Sequence, residues 1–242
     1  MRAYLCAALL VASATPAFAQ DDGGGEVVVT GFRALDRDED EDDKLKLSAF
    51  APPAPVQMLR RTADFAVQQV IVVSDATDDD EAQTEIFAMT RKAIDLSGGA
   101  GTQLATGELV VEPLTAANYK ALEVDHNGNE SVKFIVKVPL APGIDAKAAL
   151  ARIDKFLKAV PPVGRAEIKP YSELTLSVVN PEQYRGAIID LVAKDTSATS
   201  ARFGPGYGVE VTGLDRAVLW QRAGLTEVQL YLPANTTVRP RN

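Results

Sequence analysis

Two patterns of hydrophobic and polar residues become regular beyond about residue 61 of this chain. One is typical of strands, and the other, with spacings of three and four, is typical of helices. Residues 65–74 are rich in β-branched side chains and predict a strand. Apolar residues then recur at spacings of three and four over 82–96, which predicts an amphipathic helix that ends at Gly98 and Gly99. The first ordered unit is therefore expected to be a strand followed by a long helix.

The next part of the chain predicts a hairpin and a second helix. Residues 104–111 and 131–140 are strand-like, and a turn at 125–128 between them suggests a long antiparallel hairpin. In the second of these strands one face is apolar and the other carries Lys133 and Lys137. A helix that Asp145 caps should follow and end before Pro161.

A third helix and a group of short strands complete the pattern. Asn180 and Pro181 suit the start of a helix, whose buried face is predicted to carry Tyr184, Ala187, Ile188, Leu191 and Ala198. Strands are expected at 209–212, 217–222 and 227–232, and the pattern leaves room for one further short strand at the end. The order predicts an α+β domain over 61–242, with an antiparallel sheet and about three helices packed on one face.

The first 19 residues have the three parts of a secretory signal peptide. Arg2 supplies a positive start, residues 5–12 form a short apolar run, and Ala17-Phe18-Ala19 is a small-residue cleavage motif. We therefore expect cleavage after Ala19 and a periplasmic location. Cleavage would also remove Cys6, the chain's one cysteine, so disulfides and cysteine metal sites are not predicted.

Residues 20–60 are predicted to be a disordered, acidic, proline-rich tail. Residues 21–55 hold ten acidic and four basic side chains, so this tail carries most of the formal charge of −8. The remainder is nearly neutral and shows no basic stripe, which argues against nucleic-acid binding. No second apolar stretch is long enough to span a membrane.

The tail contains one β-prone segment, 26–33, with the sequence EVVVTGFR. An extended apolar segment of this kind can add a strand to the edge of a partner's sheet. The candidate partner-binding residues are Val27, Val28, Val29, Thr30 and Gly31. The alternatives are that the segment pairs with the chain's own sheet or stays disordered.

Candidate catalytic and metal-binding residues are few. His126, the one histidine, lies in a turn, which is typical of an exposed side chain and leaves neither a catalytic triad nor a zinc site. The acidic run 78–81 lacks EF-hand spacing and suits a solvated helix start. Glu108, Glu112 and Asp125 are carboxylates that an enzyme would need, but their spacing does not distinguish them from other surface acids. No catalytic residue, cofactor or metal is therefore predicted.

The order of elements resembles that of the SIMPL-domain family of bacterial envelope proteins. The resemblance covers about residues 61–240 and is carried by the opening strand and helix, by 174–182 (LTLSVVNPE) and by 227–240 (EVQLYLPANTTVRP). It implies a periplasmic envelope protein, sometimes assembled into rings, and it implies no active-site residues.

The segment 26–33 resembles the start of TonB-dependent outer-membrane receptors, which often begin with Glu-x-Val-Val-Thr-Gly-x-Arg. The remaining chain is too short to be such a receptor. The leading hypothesis is a non-enzymatic envelope protein that acts through protein contacts or self-association. The alternatives are a periplasmic module that binds a small ligand or a cation, and an accessory protein linked to TonB-dependent transport through 26–33.

Overall fold

The structure is a computed structural model that describes residues 25–29, 57–107, 110–141 and 144–241, and it has the predicted α+β architecture. Three helices are described: α1 (Asp79–Ser97), α2 (Ala146–Ala159) and α3 (Arg185–Phe203). Short 3-10 turns lie at Tyr119–Ala121 and Pro181–Tyr184. The strands are β1 (Glu26–Val29), β2 (Leu59–Thr62), β3 (Phe65–Ser74), β4 (Gln103–Thr106), β5 (Val110–Pro113), β6 (Val124–Asp125), β7 (Ser131–Pro139), β8 (Ala166–Pro170), β9 (Thr175–Val179), β10 (Tyr207–Thr212), β11 (Leu219–Arg222), β12 (Glu227–Tyr231) and β13 (Asn235–Pro240).

Six of the strands close into a barrel-like ring. Their order is β7-β4-β5-β1-β9-β3, and β3 pairs again with β7 along nine residues. β6 and β8 extend the sheet outside this ring, next to β7 and β3. All of these pairs are antiparallel, as the hydrophobic pattern predicts. The ring gives each of the six strands one face toward its interior.

The outer face of the ring carries the main core. The apolar face of β7 packs with α1 and α2, and it consists of the four residues predicted to share that face: Val132, Phe134, Val136 and Val138. Both helices begin at acidic caps, because Asp78 accepts from the Glu81 amide at 2.9 Å and Asp145 from the Ala148 amide at 2.7 Å. The predicted strand–helix unit, the second helix and its Asp145 cap are confirmed.

The third helix packs elsewhere, against a second apolar cluster. This cluster joins Ile188 of α3 to β9, β11 and β12, and it includes Trp220 and Val27. α3 follows a 3-10 turn at Pro181–Tyr184 and starts at Arg185 instead of at Pro181. Ile188 is buried as predicted and Val192 is buried with it, whereas Ala187 and Ala198, predicted to be buried, are exposed. Tyr184 and Leu191, also predicted on this face, are half-buried.

One local prediction needs correction. The single strand predicted at 104–111 is two strands, β4 and β5, which pair with each other after Gly107, where φ is +106°. The further short strand for which the pattern leaves room at the end is present as β13, which pairs with β10 over six residues. β11, β12 and β2 form a separate three-stranded sheet.

No helix within the described ranges combines the length and apolarity needed to cross a membrane. The predicted signal peptide, 1–19, lies outside the described residues.

Candidate functional site

The ring is completed by a strand that comes from far along the chain. β1 lies between β9 and β5, pairing with four residues of β9 and two of β5. The chain from Val29 to the start of β2 at Leu59 is 29 residues long, numbers 30–58. We call the space between β5 and β9, which β1 fills, the strand slot.

The side chains of β1 alternate between the two faces of the sheet. Val28 points into the ring, where it packs with Val67, Ala105, Val111 and Ile135. Val27 points outward into the cluster that contains Trp220 and Ile188. Both valines are buried, at 8% and 6% exposure, because each face of β1 meets an apolar surface. Burial of such side chains is worth about 1.5–3 kcal/mol each.

Glu26 anchors the start of β1 inside the ring. Its carboxylate forms an ion pair with the Lys137 ammonium, and the Ser177 hydroxyl donates to Glu26 Oε1 at 2.5 Å. Lys137 Nζ also lies 4.1 Å from the centroid of the Phe65 ring. The side chains of Lys137 and Glu26 are 8% and 12% exposed, so this is a buried pair and not a surface salt bridge.

The walls of the strand slot are held by contacts that do not involve β1. β5 pairs with β4 on its other side, and β9 pairs with β3. Asp64 adds a further tie, because its Oδ2 accepts from the Val179 amide at 2.8 Å and its Oδ1 pairs with Arg61 at 2.6 Å. Each wall is therefore held by the strand on its other side. β1 is the one ring strand that comes from a distant part of the chain.

The predicted partner-binding residues are thus partly placed. Val27, Val28 and Val29 form β1 with Glu26, so the segment pairs with the chain's own sheet, as one of the alternatives held. Thr30 and Gly31 lie outside the described residues. Binding of these residues to a partner remains a prediction. The strand slot now defines where a partner's segment would lie.

Sequence reasoning did not select Glu26, Lys137, Ser177 or Phe65. The alternating pattern places Lys137 on the polar face of its strand, which in an open sheet would face water. The sequence offers two signals together: one acidic residue directly before a run of valines in the segment, and a predicted strand whose polar face carries lysines. That polar face lines the interior of the protein only because the six strands close into a ring.

A cleft opens at the mouth of the ring beside β7. About 260 Å³ is bounded by Val28, Val67, Ile135, Ser172 and Thr175, and Gln69 and Gly107 connect it to a larger cleft of about 620 Å³. Lys133 lies in the larger cleft, 3.6 Å from Asp125 and 4.5 Å from the Tyr171 ring centroid. A hydrogen bond with Tyr171 raises the pKa of Lys133, so this side chain keeps its positive charge.

The carboxylates and histidine considered from the sequence have local partners. His126 Nδ1 lies 2.6 Å from Glu130 Oε1, which raises the pKa of the largely exposed imidazole. The Asn127 amide donates to Asp125 and lowers the pKa of that carboxyl. Glu112 is exposed on β5, and Glu108 lies outside the described residues. Within the described ranges, no three His, Cys, Asp or Glu side chains group in a way that could hold a metal ion.

Comparison with known proteins does not assign a family. No family model matches the chain, and no curated protein matches it. Two crystal structures from Listeria innocua align with 80% of this chain and 98% of their own. One is an uncharacterized conserved protein at 13% identity with a TM-score of 0.16, and the other is a hydrolase at 10% identity with a TM-score of 0.14. Neither TM-score supports a shared fold, and the SIMPL resemblance stays a prediction.

Proposed function

We propose that this chain is an exported, non-enzymatic protein of the bacterial envelope that acts through protein contacts, and that the strand slot is its contact site. One observation carries the proposal. The ring contains a place for an extended Glu-Val-Val-Val segment, and that segment is joined to the rest of the fold through 29 intervening residues. Strand addition at such a place supplies main-chain hydrogen bonds for affinity and side-chain pockets for specificity.

The slot distinguishes among extended segments by charge and by shape. Lys137 and Ser177 favour a carboxylate at the first position, since a buried ammonium without a partner is strongly unfavourable. The ring interior and the Trp220 cluster favour apolar side chains at the next two positions. The partner class is therefore a peptide segment with an acidic residue followed by β-branched residues.

This class includes the segment with which TonB-dependent receptors often begin, through its resemblance to 26–33. A role as an accessory protein for such receptors is thus one form of the proposal. In that form the chain's own β1 occupies the slot until a receptor segment of the same pattern replaces it.

Peptide binding to a charge variant of the full chain tests the slot. In Glu26→Lys the chain's own β1 places a lysine against Lys137, so the strand is repelled and the slot is vacated. We expect a fluorescent peptide with sequence 26–33 to bind this variant, measured by fluorescence anisotropy. The matched control is the same peptide with lysine at its first position.

The control peptide should bind Lys137→Glu and fail to bind Glu26→Lys, since only the former offers it an opposite charge. If neither peptide binds either variant, the strand slot is not a contact site and the proposal is wrong.

The mouth cleft favours a second candidate function, which is a module that binds a small anionic ligand. Lys133 supplies the positive charge, and Val28, Val67 and Ile135 supply an apolar floor. A thermal shift with small carboxylates or phosphates that Lys133→Met abolishes would support it. The absence of any shift across such a panel would argue against it.

A further inference from the structure

The strand slot raises the question of whose β1 fills it. β1 contacts β5, β9, Lys137 of β7 and the two apolar clusters, and none of these contacts requires β1 to belong to the same chain. Residues 30–58 are long enough to span up to about 100 Å when extended. The connection therefore permits β1 to enter a neighbour's slot.

We propose that two copies of this chain exchange β1 reciprocally, each placing its Glu26 on the Lys137 of the other. This inference rests on the proposed function, because it requires the slot to accept a strand in trans. A dimer of this kind keeps all contacts of the single copy and creates no new edge, which makes exchange a low-cost route to association.

The ion pair fixes the register of the exchanged strand. Because side chains alternate along a strand, a slip of one residue would remove Glu26 from Lys137 and turn Val28 out of the ring. A second copy carries the same Glu-Val-Val-Val segment, so it matches the slot in charge, in shape and in register. That identity is the reason for assigning the slot to a second copy.

In the wild-type chain the two sources of β1 compete, and the exchanged form grows with protein concentration by mass action. Two charge variants of the full chain remove this competition. Glu26→Lys has lysine at both position 26 and position 137, and Lys137→Glu has glutamate at both of these positions. In each variant alone, the strand and the slot carry like charges.

Mixing these two variants makes both exchanged contacts complementary. The lysine of one strand meets the glutamate of the other slot, and the remaining contact is the native Glu26–Lys137 pair. We expect size-exclusion chromatography with light scattering to show a 1:1 species of twice the mass of either variant. The control is the double variant Glu26→Lys/Lys137→Glu in one chain, which restores a complementary pair within the copy and should elute as the wild type does.

If either single variant fails to fold alone, the two are unfolded and refolded together, which gives the mixed dimer the same opportunity to form. A mixture that stays at single-copy mass, while the double variant is folded, would overturn the exchange. Should the 26–33 peptide still bind Glu26→Lys in that case, the contact function would stand and only the second copy would be the wrong occupant.

A second measurement applies to the native charges. With Cys6 replaced by serine in both, chains carrying Val28→Cys are mixed with chains carrying Ser177→Cys, two positions that pair between β1 and β9. Exchange predicts a disulfide-linked dimer whose fraction rises with total protein concentration. Exchange would be contradicted if the dimer fraction of the mixture were no larger, at every concentration, than that of either variant alone.

Discussion

Glu26→Gln tests the buried ion pair with the smallest change in shape. Glutamine keeps the volume and can still accept from the Ser177 hydroxyl, but the Lys137 ammonium then lies in the ring without an opposite charge. Breaking a buried pair in this way costs about 3–5 kcal/mol. The low exposure of both side chains, 8% and 12%, means that solvent screens the pair little.

The structure also sets an upper bound on this loss. If β1 leaves the slot, Lys137 becomes accessible to water. The stability that Glu26→Gln loses therefore cannot exceed the free energy with which β1 docks in the slot. Burial of Val27 and Val28 alone contributes about 3–6 kcal/mol to that docking. A loss of 3–5 kcal/mol corresponds to a decrease in Tm of roughly 6–20 °C for a domain of this size.

Chemical denaturation followed by tryptophan fluorescence measures the effect. Trp220 is the one tryptophan of the chain, is buried, and belongs to the same cluster as Val27, so its emission reports on β1 as well as on global unfolding. The matched control is Glu227→Gln, which breaks the Arg60–Glu227 pair. That pair is 59% and 39% exposed and should contribute at most about 1 kcal/mol.

A double variant separates the charge from the contact. Glu26→Gln/Lys137→Met leaves no buried charge, so it should recover most of the stability that Glu26→Gln loses. If Glu26→Gln were no more destabilising than Glu227→Gln, the Glu26–Lys137 pair would not hold β1 in the slot.

Three further predictions concern other parts of the chain. The hydrogen bond to Glu130 should hold the pKa of His126 above its ordinary 6.5, so the contact stabilises the fold below that pH and is lost as pH rises through the raised pKa. An NMR titration should show the raised pKa, and Glu130→Gln should bring it back toward 6.5. Gly213→Ala should lower the denaturant midpoint more than Gly128→Ala, because both glycines have positive φ, but only at Gly213 would a Cβ meet backbone, the Pro233 carbonyl oxygen at 2.6 Å. Mass spectrometry of the exported protein should give Gln20 as its first residue; an intact Met1 would refute the predicted cleavage.

The strongly periodic elements were predictable from the sequence because local patterns determine them. β3, α1, β7 and α2 each have a regular apolar face, and Asp78 and Asp145 are recognisable caps. The start of α3 was less predictable, since a 3-10 turn after Asn180 delays the α-helix to Arg185.

The candidate site was not predictable in the same way. Its central contact joins residues 111 positions apart, and Glu26 looks like one more acid in an acidic tail. The three valines of β1 indicated a strand, but local pattern does not say which sheet a strand joins. Ring closure, a non-local event, is what gives Lys137 and Glu26 a common interior.

Disulfide trapping of β1 within one chain tests the central claim most directly. The Asn180 amide donates to the Gly25 carbonyl, so by alternation Val28 and Ser177 form a non-hydrogen-bonded pair with close side chains. With Cys6 replaced by serine, Val28→Cys/Ser177→Cys should oxidise to a disulfide, seen as a mobility change on a non-reducing gel. The control, Val27→Cys/Ser177→Cys, places the thiols on opposite faces and should stay reduced. Equal oxidation of both variants, or of neither, would contradict the position of β1 in the strand slot.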